Sequence, residues 1–155
     1  MAIWLFFHII GAVMFVGNII MAAYWKLSAD RSGNPAVIHK CAAAVMRADY
    51  VFTLPGIALL LVSGHVMAHR YGYAIFSWSW LGISYALLLL SGVLWAAVLL
   101  PTQRAMIREA ALSVRQNRLT EGYLRASARW NRYGSIATLL PLAVLLLMVI
   151  KRLPF

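Results

Sequence analysis

The sequence predicts an all-α fold, a polytopic membrane protein built as a four-transmembrane-helix bundle with cytoplasmic helical extensions, in one domain over residues 1–155. Two observations carry this. Four apolar stretches, Ala2 to Tyr24, Val51 to Val66, Trp80 to Leu100 and Ile136 to Ile150, are nearly free of charge, and none alternates with the period of two that a half-buried strand shows. The composition, 63% hydrophobic and 12% charged, lies far outside the soluble range. Crossing a bilayer takes about 20 apolar residues of helix, and only helices and closed barrels satisfy their backbone groups there. With flanking residues the spans run over about 2–24, 49–69, 79–100 and 134–151.

The first stretch lacks the positive n-region of a signal peptide and is too long for its apolar segment, so it reads as a retained anchor. After it, Gly33, Asn34 and Pro35 form a turn, with Pro35 suited to a first helical position. The Ala-rich run from Ala36 to Arg47 predicts a short interfacial helix. Pro55 falls near the start of the second span, where proline is tolerated, and Pro141 inside the fourth, where it predicts a kink. From Thr102 to Gln116 and from Thr120 to Tyr133, good helix formers extend spans three and four into a hairpin broken near Asn117 and Arg118, with Thr120 as a cap. The single Cys41 permits no internal disulfide and reads as packing.

A net charge of +10 in a soluble chain would point to nucleic acid. Here its placement points to topology and excludes that partner. Lys26, Arg31, Lys40 and Arg47 follow the first span; Arg104, Arg108, Arg115, Arg118, Arg125, Arg129 and Arg132 separate the last two; only Arg70, Lys151 and Arg152 fall on the other side. Cytoplasmic loops carry the Lys/Arg excess, so both termini are expected outside a bacterial inner (cytoplasmic) membrane. Trp4, Tyr71, Tyr73, Trp78 and Trp80 make an outer aromatic belt, and Tyr24, Trp25, Tyr50, Trp130 and Tyr133 an inner one; Trp95 alone sits inside a span. The arginine hairpin is expected to meet anionic lipid.

Polar side chains inside such spans are the candidate functional groups. His8, Gly11, Phe15, Asn18, Ala22 and Trp25 are spaced along one seam of the first helix, which predicts its bundle-facing side. Asp49, Thr53, Gly56, Ser63 and Gly64 mark the packed face of the second. His65 and His69 stand at i and i+4 near its outer end, with His65 at the depth of His8. Two imidazoles at one depth on neighbouring helices could ligate a haem iron from both sides, or, with His69, hold copper or zinc. Helical phase sets His65 about 160° to 180° from Asp49 and Gly56, which favours a different neighbour. The bland alternatives are that His8 and Asn18 hydrogen-bond between helices, that His69 is interfacial, and that Asp49 sits at a helix N-terminus near Arg47 or Lys26. The sharper reading of Asp49 is a proton or ion entry point. No Gly-rich phosphate loop, His-Glu-x-x-His, Cys-x-x-Cys or Cys-x-x-Cys-His occurs.

These residues resemble the DUF2269 family of small bacterial four-helix membrane proteins. The resemblance runs through FFHIIGAVMFVGN with His8, Gly11 and Gly17, Trp25, ADYVFTLPG with Asp49, Phe52, Thr53, Pro55 and Gly56, then Ser63 and Gly64. It continues through SWLGISY with Trp80 and Tyr85, the SGVLW segment ending at Trp95, Pro101 with Gln103, and Lys151. That family implies a fold and no activity. The first helix with His8, Trp80-Leu81, Arg129 to Asn131 and the final VIK are also similar to HemJ and CopD-like membrane proteins, which implies haem b association or copper handling. Neutral residues around Ser84 replace the HemJ lysine, so this second resemblance implies haem through His8 without porphyrinogen oxidation. The expected function is haem b binding in electron transfer or a membrane redox step, with His8 and His65 as ligands and a quinone or redox protein as partner. The alternatives are copper or zinc handling through His8, His65 and His69, and a non-catalytic accessory subunit, each compatible with a homo-oligomer.

Overall fold

The computed structural model describes residues 1–151; Arg152, counted above among the outer cations, lies outside them. Four helical rods, each long and apolar enough to cross a membrane, make up the described chain. The first is α1 (Ala2–Arg31); the second runs from α2 (Pro35–Ala48) through a π-helical turn (Asp49–Thr53) into α3 (Leu54–Arg70). The third runs from α4 (Trp80–Leu94) through a second π-helical turn (Trp95–Leu99) into α5 (Leu100–Gln116), and the fourth is α6 (Glu121–Ile150). Rods of 30 to 37 residues reach about 45 to 55 Å at about 1.5 Å per residue, more than the ~30 Å hydrocarbon core requires. The excess gathers at the end holding the Ser32–Asn34 turn and the α5–α6 hairpin.

The turns form as their residues dictate. Gly33 takes a φ of 62°, open to glycine without strain. Asn34 then caps α2, its side-chain oxygen accepting from the Ala36 N–H at 2.9 Å, with Pro35 at the first helical position. Asn117 adopts the left-handed conformation that ends α5, and Thr120 caps α6 by accepting from the Tyr123 N–H at 3.1 Å.

The predicted interfacial helix is corrected. α2 continues through the π-helical turn into α3 and does not lie along the membrane surface, because nothing between Ala48 and Leu54 breaks the helix. Its buried face of Ile38, Ala42 and Val45 packs chiefly against α5, so the amphipathicity that mimicked a surface helix serves an extension of the bundle. α6 runs through Pro141, which is buried inside it.

The interior inverts the soluble pattern. Val13, Val93 and Leu139 are exposed, while Thr53, Ser63, Ser84, Ser91, Thr102 and Gln103 are buried. Lipid tails are as apolar as leucine, so span-to-span packing draws on small residues, close contact and interhelical hydrogen bonds. At the α1–α3 crossing a Cβ on Gly11 would stand 2.9 Å from the Gly56 carbonyl oxygen, and one on Gly56 would stand 3.0 Å from that of Gly11. The two backbones touch there. α4 pairs with α6 in the same half, and toward the extended end Ile38, Met106, Ala110, Tyr123 and Trp130 share one apolar core.

Candidate functional site

The two π-helical turns repeat one local grammar. Asp49 begins the first, with Pro55 six residues on; Trp95 begins the second, with Pro101 six residues on. Proline lacks an N–H and its ring crowds the carbonyl one turn back. A single wide turn before it relieves that crowding, and such turns recur at functional sites. Across the bundle the two first residues meet, the Trp95 Nε1–H donating to Asp49 Oδ2 at 3.3 Å.

Asp49 is only 5% exposed and is the hub of a four-donor cluster. Its Oδ1 accepts from Asn18 Nδ2 at 2.8 Å and from the Thr53 hydroxyl at 2.9 Å. Its Oδ2 accepts from Gln103 Nε2 at 2.7 Å and from Trp95. Asn18 Nδ2 also reaches Thr53 Oγ1 at 2.9 Å. Three of these donor atoms have no acceptor capacity, so both carboxyl oxygens present lone pairs to them. Among the described residues the ion pairs are Lys26–Asp30, Arg108–Glu109 and Arg125–Glu121, and none involves Asp49. Neutral dipoles from α1, the first π-helical turn, the second and α5 therefore surround this buried carboxyl group, with no cation paired to it among the described residues.

The helix N-terminus reading of Asp49 fails because α2 precedes it without a break, and Lys26 is engaged elsewhere. Lys26, 3% exposed, donates to Ser127 Oγ and Asn131 Oδ1, both at 2.6 Å, and pairs with Asp30 at 2.7 Å. Asp30 also accepts from the Tyr123 hydroxyl and from Ser127 at 3.1 Å. Burial first, then the Asp30 carboxylate, push the Tyr123 phenol above its ordinary value. This second polar cluster ties the end of α1 to α6.

Beside Asp49 opens a cavity of about 530 Å³, walled by Phe15, Ile19, Trp95, Leu99, Trp130 and Leu139 among others, with Ser91 and Gln103 at its polar wall. Two atoms near it lack partners among the described residues. Because a carboxylate only accepts, the Gln103 nitrogen must face Asp49, which leaves Gln103 Oε1 buried and unpaired. Trp130 Nε1 is likewise buried with no acceptor.

The three predicted histidines are not gathered into one group. His8 Nδ1 lies 3.0 Å from Ser63 Oγ. The Ser63 hydroxyl donates to the Leu59 carbonyl, so His8 Nδ1 is the donor in its contact with Ser63. Gly64 makes room for the ring: a Cβ there would stand 3.2 Å from His8 Cε1. His65 and His69 are exposed, one and five positions off the Ser63–Gly64 face, as helical phase argued. Among the described residues no group of three or more His, Cys, Asp and Glu side chains is placed to hold a metal, so His8, His65 and His69 do not form one. No histidine lines the cavity.

The seam on α1 is buried at Gly11, Phe15 and Ala22 as expected, then passes to Lys26, with Trp25 exposed. Gln103 and Trp130 carried no individual weight in the sequence, and Trp130 leaves the expected aromatic belt for the interior. The paired aspartate–proline and tryptophan–proline spacings were the available signal.

Four apolar rods around a buried polar centre define an integral membrane protein with a hydrogen-bonded intramembrane carboxylate. The chain matches the family model described as predicted integral membrane protein (DUF2269) over residues 2–152, and it belongs to that family. No curated protein and no solved structure matches it.

Proposed function

We propose that this protein binds a lipid-soluble molecule with a neutral or cationic head group in the cavity beside Asp49. The observation that carries the reading is the buried carboxylate, held by four neutral donors and lacking a counter-cation, at the edge of a mostly apolar space of about 530 Å³. Ligand sites are concave and apolar with a few placed polar groups, and a fixed negative charge disfavours an anionic head. Protein in nanodiscs should be stabilised on heating by 4-octylbenzene-type probes such as n-octylbenzene, and less by octanoate. Gly134 lines the cavity, and the nearest atoms a Cβ there meets belong to the Trp130 ring, at 3.6 Å. Gly134→Phe should fold and lose the octylbenzene effect; equal stabilisation of both proteins would sink the reading.

A second reading, haem b or copper binding in electron transfer, rests on His8, whose Nδ1 is held by Ser63 as the outer partner of a metal-ligating histidine would hold it. The residues do not fit a haem clamped between two histidines, since His65 is exposed. Protein purified from haem-replete cells should then show a Soret band that His8→Ala abolishes and His65→Ala leaves alone; a colourless preparation ends the haem reading.

The charge distribution supports a bacterial inner-membrane protein with both termini outside. The seven hairpin arginines are all exposed, which supports contact with anionic lipid. Neutralising Arg115, Arg118 and Arg125 should weaken binding of detergent-solubilised protein to anionic vesicles more at low salt than at high; a salt-independent loss argues against it.

A further inference from the structure

We propose that the head group read at this cavity is a hydroxyl on an aromatic body, so that the ligand is a lipophilic phenol, hydroquinones included. The inference rests on the cavity reading above and adds the chemistry of recognition. Its basis is the pair of orphaned atoms. Gln103 and Trp130 are 5% and 9% exposed, and Gln103 Oε1 and Trp130 Nε1 have no partner among the described residues. Leaving such groups dry and unpaired is costly, so a site that keeps one bare acceptor and one bare donor is built for a group offering both.

The space that the two residues share limits that group. Gln103 and Trp130 wall the large cavity and also a small void of about 10 Å³, shared with Lys26, Ala42, Val45 and Met106. That is room for about one oxygen atom. Lys26 does not fill the acceptor, because its three donors are spent on Ser127, Asn131 and Asp30. A hydroxyl satisfies both sides through one atom: Trp130 Nε1–H donates to the oxygen, and its O–H donates to Gln103 Oε1. A quinone or ether oxygen accepts only and leaves Gln103 bare, while an ammonium donates only and leaves Trp130 bare. A carboxylate accepts only and meets the Asp49 charge. The aromatic walls of Phe15, Trp95 and Trp130 suit a ring next to that hydroxyl.

Asp49 acts as the positioning residue. By taking the Gln103 nitrogen it fixes which end of the amide faces the ligand.

The test is a ladder of probes on the wild-type protein in nanodiscs: 4-octylphenol, 4-octylanisole and n-octylbenzene, with affinity read by isothermal titration calorimetry. The phenol should bind at least about tenfold more tightly than the anisole, since the ether cannot donate to Gln103 Oε1. Trp130→Phe keeps a ring and removes the donor, and should cut the preference for the phenol over the anisole several-fold. Phenol and anisole binding equally well overturns the head-group assignment and leaves the cavity reading intact, with a bound water as the sole partner of the two atoms. Failure of all three probes overturns both. The comparison in wild-type protein decides the question even if Trp130→Phe does not fold.

Discussion

Replacing Asp49 by alanine tests the polar hub directly. The change strands Asn18 Nδ2, the Thr53 hydroxyl, Trp95 Nε1 and Gln103 Nε2 in a region without bulk water. Each unpaired buried donor costs about 1–3 kcal/mol. Thr53 can turn its hydroxyl to a backbone carbonyl four residues back, as Thr102 does to Val98 at 2.6 Å, and Asn18 keeps its bond to Thr53 at 2.9 Å. That leaves Trp95 and Gln103 as full losses, about 2–6 kcal/mol together. Relief of the buried charge's desolvation offsets part of this. The expected net destabilisation of Asp49→Ala is about 2–4 kcal/mol. Asp49→Asn should cost less, because the Gln103 amide can flip and present its oxygen to the new nitrogen, leaving Trp95 as the main loss, about 1–3 kcal/mol. The assay is reversible unfolding in mixed micelles of increasing SDS fraction, followed by tryptophan fluorescence and circular dichroism. An Asp49→Ala protein as stable as wild type, or more stable, would show that the cost of burying the carboxylate exceeds the worth of its four bonds and refute the reasoning.

Other outcomes follow from the same geometry. Gly11→Ala forces a Cβ to within 2.9 Å of the Gly56 carbonyl oxygen and should cost about 1–3 kcal/mol, whereas a Cβ on Gly17 meets nothing within 4 Å, so Gly17→Ala should be neutral or slightly stabilising in the same micelle assay. The Tyr123 phenol is raised above its ordinary 10.0, chiefly by burial and then by Asp30, so its contribution is complete below that value and declines as pH rises past it. The unfolding midpoint should accordingly fall more steeply above pH ~10 in wild type than in Tyr123→Phe; parallel curves would remove Tyr123 from the account. Burial, then the Asp30 carboxylate, push the Cys41 thiol up, so maleimide labelling in membranes should be slow at neutral pH and accelerate in alkali. In intact cells a permeant maleimide should label Cys41 and an impermeant one should not; an alkaline phosphatase fused to the C-terminus that stays inactive would overturn the outside placement of that end.

Sequence alone determined the four spans, the turn at Gly33, Asn34 and Pro35, the cap at Thr120, the break near Asn117, and the packed faces carrying Gly11 and Gly56. Each depends on local chemistry: span length, side-chain capping, and the 3.6-residue period that sorts one face from another. The same period already separated His65 from the face of α3 that His8 meets. It could not show which polar residues on different rods share a depth, since that depends on how the rods slide and rotate against one another. The joining of Asp49 to Asn18, Trp95 and Gln103 spans separations of 31, 46 and 54 residues, a relation decided only by packing. Lys26 shows the same limit. Its position near a basic loop marked it as a topology signal, and only the approach of α6 made it a buried partner of Ser127 and Asn131. The π-helical turns stand between the two cases, because the proline that provokes each is written in the chain. Only the bundle sets their first residues, Asp49 and Trp95, against each other, since interhelical contact decides which orientation of a widened turn buries its polar group with a partner.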